Sequence, residues 1–400
     1  MSTPEPRAFP FGSDKLTVHP LYAYLRQNEP LSRVQLPYGE QAWLATRYED
    51  VRRVLADPAF SRAAAVDRDE PRSRPHATGA GTIKSLDPPE HTRLRRLVAK
   101  AFTARRTENL RTRAQQIADE LVDAMLTKGE PAELVADFAL PLPITVICEV
   151  LGVPVEDRDD FRLWSDAFLS TTKFTVEQIT QYRKELRHYM TDLIAQRRAD
   201  HQDDLLSAML AARDDEDRLS EEELLSLSEA ILIAGHETTA TTIPSFVYAL
   251  LTHPDQLATL RADLSLVPRA VEELLRFVPV GAGALQARYA LVDVELGGVT
   301  VCAGEPVLAA NQSANRDETV FTDPDRLDLR RAEASHLSFG HGAHHCLGAS
   351  MARMELQVAL RTLLCRLPML RLASDIDDVA WKSGGSTYGP ERMHIAWSTT

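Results

Sequence analysis

Residues 339–348 read FGHGAHHCLG, and this decapeptide limits what the chain can become more than any other stretch. Gly340 and Gly342 permit a tight turn just ahead of Cys346. The run that follows, GASMARMELQVALRTLL, has helical periodicity. A cysteine at a helix N-terminus gains from nearby backbone N–H groups and the helix dipole, which favour its thiolate. Three chemistries suit such a residue. A thiolate presented by a glycine-rich loop can be an axial ligand to haem iron. His341, His344, His345 and Cys346 are also potential zinc ligands, although they crowd together without a CxxC or a second pair at finger-like spacing. The third reading is a structural cysteine at a helix start.

The rest of the chain reads as mainly α with a minor β portion. Helical patterning covers about 87–280 and 347–366, for example TENLRTRAQQIADELVDAML. Ser220-Glu221-Glu222-Glu223 is a capping box that opens a long helix running to about Leu251, ahead of His253-Pro254. Residues at about 30–60, 285–310 and 368–400 carry the β signal. LQARYALVDVELGGVTVCAGEPVLA, with its Gly297-Gly298 break, reads as strand–turn–strand. The polar stretch 62–85, with Gly79, Gly81 and several prolines, reads as a surface loop. There is no internal repeat and no low-complexity linker, so 1–400 is expected to be a single domain.

Charge and cysteine usage exclude several function classes. A net charge of −13 argues against a nucleic-acid partner. Four cysteines without framework spacing suit a reducing compartment. No stretch approaches the ~20 apolar residues of a spanning helix, and the N-terminus MSTPEPRAFPFGSDK has no apolar run. The expectation is a cytoplasmic protein with no membrane partner.

Three further constellations carry chemistry. AGHETT, residues 234–239, puts Gly235, Glu237, Thr238 and Thr239 in mid-helix, where an apolar helix would place Ala or Leu. In EELLRF, Glu273 and Arg276 lie three apart on one helix face, a pattern that alone is weak. DPPEHTRLRR sets His91 and Arg95 four apart, and Arg288 lies in the first strand of the strand–turn–strand unit. Arginine forks suit carboxylates. Arg93, Arg96, Lys100, Arg105 and Arg106 make a basic run in an otherwise acidic chain.

Taken together, in this order along the chain, these segments resemble the cytochromes P450, most closely the soluble actinobacterial type that tailors macrolides and polyketides. The resemblance spans essentially the whole chain. It implies the P450 fold, with haem b between the long central helix and the cysteine loop and its helix. It implies Cys346 as the iron ligand within a loop patterned by Phe339, Gly340, His344 and Gly348. Ala234 and Gly235 would leave room over the iron, Thr238 would hydrogen-bond dioxygen, and Glu237 would relay protons from solvent. His91, Arg95, Arg288 and His344 would meet the haem propionates. Glu273 and Arg276 would be completed by Arg326 of Pro324-Asp325-Arg326-Leu327, where Leu327 stands in place of the family's usual aromatic.

The implied activity is insertion of one oxygen atom from O2 into a C–H or C=C bond, by hydroxylation or epoxidation. A ferredoxin and ferredoxin reductase would supply electrons to a monomeric enzyme. The implied substrate is a bulky apolar natural product, a macrolide or polyketide in antibiotic biosynthesis, with Ile233, Ala234, Val280 and Leu285 lining its pocket. The small side chains of 280–284 leave volume for such a ligand. A terpenoid, steroid-like or aromatic substrate is the alternative. The rival class is a non-catalytic helical protein whose Cys346 is structural or zinc-bound.

Overall fold

The structure, a computed structural model, describes residues 5–75, 79, 81–99, 102–154, 157–214, 219–281, 286–332 and 335–398. The chain divides into two compact units, one of residues 1–95 with 272–347 and the other of 96–271 with 348–400. As the sequence leads one to expect, the fold is mainly α with a minor β portion.

The first unit is built on a six-stranded mixed sheet. Its strands run in the order Arg7–Ala8, Leu31–Gln35, Ala42–Ala45, Pro306–Ala309, Arg288–Ala290 and Phe60–Ser61. Trp43 pairs with Val307 in parallel, and Arg288 pairs with Val307 from the antiparallel side. Successive side chains point to opposite faces of a strand, and both faces here are covered. Ala42, Leu44, Leu308 and Ala310 join a core with Phe9, Tyr22 and Tyr289. Ala45, Val307 and Ala309 join a second core with Val51, Phe60 and Phe321. Val294–Leu296 and Val299–Val301 form the hairpin expected at Gly297-Gly298, where both glycines have positive φ.

The second unit holds most of the helices. The long helix spans Glu221–Leu251, and its capping box is made in full. Ser220 Oγ accepts from the Glu223 amide at 3.1 Å, and Glu223 Oε2 accepts from the Ser220 amide at 2.8 Å. The helix packs against Pro141–Leu151, Val176–Ala199 and Ala349–Arg366. A small sheet joins Arg371–Leu372, His394–Ala396 and Ala132–Glu133. The last of these lies inside the span read as helical, where a two-residue strand is too short to leave a period. Ala380–Trp381 and Pro390–Arg392 make a hairpin that reaches the long helix.

The 62–85 stretch is more than a surface loop. Arg62 is 1% exposed and Glu70 4%. Polar composition misleads here because Arg62 finds partners inside for all but one of its side-chain nitrogens. It binds Glu70 at 3.3 Å, the Lys84 carbonyl at 3.2 Å and the Ala287 carbonyl, while its own amide donates to Asp87 at 2.9 Å. Residues 76–78 and 80 lie outside the described residues.

Candidate active site

In the first unit, the cysteine loop closes on itself. The Cys346 amide donates to the Phe339 carbonyl at 2.8 Å, and Gly340 and Gly342 have φ of 71° and 70°. Gly342 is required for a second reason. A Cβ there would stand 2.5 Å from the Leu55 carbonyl oxygen and 2.7 Å from Ala56 Cα, so the loop lies directly on the Tyr48–Ala56 helix. Phe339 packs at ring distance from His336 and His345, 5.9 and 6.4 Å. The Cys346 side chain is exposed. Gly348 caps the Ala349–Arg366 helix, with open space where a Cβ would be, so sterics do not demand glycine there.

Four basic residues singled out from the sequence fall in this unit, and the structure brings them together. The His91 and His344 rings lie 4.2 Å apart. Burial pushes the His344 imidazole down to about 3, with Arg288, His91 and Arg62 adding to the fall and Asp87 opposing it. Burial also lowers Arg288 to about 10, helped by Arg62 and again opposed by Asp87. His91 is lowered by burial and by Arg95. Arg95 and Lys84 are both lowered by burial, and both are raised in part by Cys346, which puts the sulfur within electrostatic reach of the cluster. His91 Nδ1, His344 Nε2 and one Arg62 terminal nitrogen are buried without a hydrogen-bond partner.

Three arginines and a lysine, beside two imidazoles that burial keeps neutral and with nitrogens left unpartnered, form a cradle for a group carrying more than one negative charge. The two propionates of haem fit it, and the sulfur fits an iron ligand. Arg62 and Lys84 belong to this cradle and were not picked out from the sequence, because nothing local distinguishes them from other basic residues in a polar stretch. Among the described residues no group of three or more His, Cys, Asp or Glu could hold a metal ion, which leaves the zinc reading without support.

The Glu273–Arg276 pair is buried and is completed from 58 residues away, but not by Arg326. Arg276 Nε donates to Glu273 Oε2 at 2.7 Å, and Arg331 Nε donates to the same carboxylate at 3.1 and 3.2 Å. Arg326 is exposed and contributes only its carbonyl, which accepts from Arg276 and Arg331. The short Pro-Asp-Arg-Leu segment turns so that its backbone carbonyls, not its arginine, meet the guanidiniums that hold the carboxylate. Leu327 is buried.

In the second unit, the long helix is buried through most of its middle, yet Ala234 and Thr238, one turn apart, are exposed. Gly235 does not contribute to that open stripe. A Cβ on it would stand 2.5 Å from Ile147 Cγ1, so its role is to let the Pro141–Leu151 helix approach. Ile233 is buried, at 3%. In the first unit Val280 is half-buried, and Leu285 lies outside the described residues. Side-chain hydroxyls back-bond to the helix here. Thr242 and Ser245 hydroxyls donate to the Thr238 and Thr241 carbonyls at 2.6 and 2.8 Å, and Pro244 offers no amide to Ala240.

Glu237, expected from the resemblance to relay protons from solvent, is itself buried. It is 6% exposed, and Oε1 accepts from Lys382 Nζ at 2.7 Å, Thr387 Oγ1 at 3.0 Å and Thr241 Oγ1 at 3.2 Å. Burial acts to raise its carboxyl. The Lys382 charge and hydrogen bond outweigh this, with smaller help from His236 and Thr387, so the group sits below the usual carboxylate range. Lys382 escaped notice in the sequence because it lies 145 residues from Glu237. Glu355 was missed too. Burial holds its carboxyl well above the usual range, with Thr239 opposing, on the helix packed against this segment.

Residues 158–370 match the family model described as Cytochrome P450. The mycinamicin IV hydroxylase/epoxidase of Micromonospora griseorubida is 53% identical over 99% of this chain and 100% of its own length. The nocardicin C N-oxygenase of Nocardia uniformis subsp. tsuyamanensis is 51% identical, again over 99% and 100%. The crystal structure of HinD with NMFT and NO superposes with a TM-score of 0.96 at 48% identity, covering 99% of this chain and 100% of that one.

Proposed function

The chain belongs to the cytochrome P450 family, and on that premise we propose that it hydroxylates or epoxidises a bulky, mostly apolar macrolide or polyketide in antibiotic biosynthesis. It is a P450 monooxygenase, of a family that works with a haem-thiolate cofactor, dioxygen and a redox partner. The single observation that supports the site assignment most is the buried cationic cradle within reach of the Cys346 charge.

In this reading Cys346 holds the iron of haem b, in a loop formed by Phe339, Gly340 and Gly348. His91, Arg95, Arg288 and His344 meet the propionates, with Arg62 and Lys84 adding positive charge. When bound, the haem supplies the iron at which dioxygen is reduced with two electrons. The chain's own residues position and move protons. Ala234 keeps the open stripe of the long helix unobstructed. The Thr238 hydroxyl, one turn along, passes a proton that the Glu237 carboxylate first takes up from water and then releases, returning to its ionised state. An alcohol beside an ionised acid suits this task, since a positioned acid–base group contributes about 10²–10⁴-fold to rate. Thr238→Ala should therefore leave dioxygen consumption running while product per dioxygen falls about tenfold or more, the balance appearing as peroxide. Unchanged coupling would remove Thr238 from this role.

Electrons would come from a ferredoxin and its reductase to a cytoplasmic monomer. Exposed Arg93, Arg96, Arg105 and Arg106 suit an acidic partner. Lys100 lies outside the described residues. No helix among the described residues is long and apolar enough to cross a membrane. Spectral titration with mycinamicin IV, 6-deoxyerythronolide B, vitamin D3 and a small planar aromatic tests the substrate class. Macrolactones should displace an iron-bound water and shift the Soret band. Tight shifts with the aromatic alone would overturn the macrolide assignment and leave the monooxygenase standing.

A further inference from the structure

The loop that joins the Ala380–Trp381 and Pro390–Arg392 strands is fastened at both sides. Toward the long helix, Lys382 and Thr387 bind Glu237, and Lys382 Nζ also donates to Thr241 Oγ1 at 2.8 Å. Gly389 lies so close that a Cβ would stand 2.6 Å from both Ser245 Oγ and Thr241 Cγ2. Toward the chain after helix Arg158–Leu169, the Gly384 carbonyl accepts from the Thr171 amide at 2.8 Å and from the Thr172 amide at 3.1 Å. The Ser386 amide and hydroxyl both donate to the Leu169 carbonyl at 2.9 Å. Gly384 adopts a φ of 69°, and a Cβ on it would meet Thr172 Oγ1 at 2.4 Å. Lys382 thus has little freedom to leave Glu237 unless the whole loop shifts.

We propose that Lys382 is the positioning residue for proton delivery, holding Glu237 by one oxygen so that the other can take up a proton and hand it on. Among the described residues, every hydrogen bond to this carboxylate falls on Oε1. A fixed cation at 2.7 Å keeps the acid ionised between turnovers and makes Oε2 a weak, quickly emptied proton carrier. Lys382 is partly exposed, at 22%, so water reaches the pair from its side. A proton arriving from water binds Oε2, and the same proton leaves Oε2 toward Thr238, so the carboxylate is restored and Lys382 stays protonated throughout. The other charged groups nearby are His236 on the same helix and Asp166 on the 158–169 helix, the latter held by Lys173 at 2.9 Å. His236 is pushed down by burial, which leaves Lys382 as the cation that matters to Glu237.

The inference rests on the monooxygenase reading above, and its test separates the two. Lys382→Met removes the charge and keeps the length, while Lys382→Arg restores the charge. The first readout is melting temperature against pH, which needs no turnover. Glu237 has a depressed pKa in the folded protein, so its contribution to stability is present above the unfolded carboxylate pKa and lost as pH falls through the folded one. In Lys382→Met burial acts unopposed by the lysine. The melting-temperature gap to the natural protein should therefore widen from acid to neutral pH and close again in Lys382→Arg.

The second readout is product and peroxide per dioxygen, against pH, with the titrated macrolactone that gives the largest spectral shift. Lys382→Met should lose about tenfold in product per dioxygen, within the range a positioned acid–base group contributes, and its acid limb should move to higher pH. Lys382→Arg should recover both. If Lys382→Met does not fold, Thr387→Val, which removes a neutral donor from the same oxygen, should shift the acid limb in the same direction and by less. A melting gap that widens while coupling and its pH profile stay unchanged would make the pair structural and overturn the proposal. So would a variant indistinguishable from the natural protein in both. Absence of any product from the natural protein would instead count against the monooxygenase reading.

Discussion

Cys346→Ala should fold, and should lose the red-shifted Soret band that a thiolate-ligated haem gives when reduced under carbon monoxide. The argument for folding is local. The Cys346 side chain is exposed, and the loop is closed by its amide to the Phe339 carbonyl, which alanine keeps. Loss of the ligand forfeits the stability that bound haem adds to the folded chain, so it is as apoproteins that the variant and the natural protein should melt alike. The argument for the spectral loss is that the sulfur is within electrostatic reach of the basic cradle through Arg95 and Lys84. Cys302 and Cys365 are exposed and Cys148 is buried in the Pro141–Leu151 helix, so Cys302→Ala and Cys365→Ala serve as controls that should keep the band. A Cys346→Ala protein that retains it would transfer the ligand role elsewhere.

Glu273→Gln should be the most destabilising of the substitutions considered, at about 3–5 kcal/mol in denaturant or thermal unfolding. Its side chain is 3% exposed, and those of Arg276 and Arg331 are 1% and 5%. The neutral amide leaves two guanidinium charges buried with carbonyls as their remaining acceptors, those of Asn315, Pro324 and Arg326 for Arg276 and of Thr322, Asp323 and Arg326 for Arg331. Carbonyl dipoles do not replace a carboxylate. Arg331→Met should cost less than the loss of the acid, because it leaves the Glu273–Arg276 pair intact. Arg326→Ala should fall within about 0.5 kcal/mol of the natural protein, since only its carbonyl is used. A large loss at Arg326 with none at Arg331 would reverse the assignment of the third member.

These contrasts show which parts of the molecule could be read from the chain itself. The Ser220–Glu223 cap, the Gly297-Gly298 turn and the turn at Gly340 and Gly342 are set by neighbours a few residues away, and each is found where local chemistry puts it. His91 and Arg95 share a helix face, so their meeting needed no tertiary knowledge. Arg331 and Lys382 reach Glu273 and Glu237 across 58 and 145 residues, and no local pattern marks a partner at that range. Gly235 shows a different limit. Its small size was legible, but which neighbour needs the space was not, because that depends on where Ile147 arrives. Arg62 shows a third. Polar composition says that a segment can be solvated, and it does not say that Asp87, Glu70 and two carbonyls will take the segment inside.

The fastening of residues 382–389 bears on how this enzyme could be bred for new substrates. A library that randomises this loop would disturb the lysine and threonine that hold Glu237, so its variants would drift toward wasteful peroxide release. Fixing Lys382, Gly384, Thr387 and Gly389 keeps the anchors on both sides, and Tyr388 is further committed by its ring contact with Trp381 at 5.0 Å. Ser383, the exposed residue of the loop, is the position at which diversity costs the oxidation chemistry least.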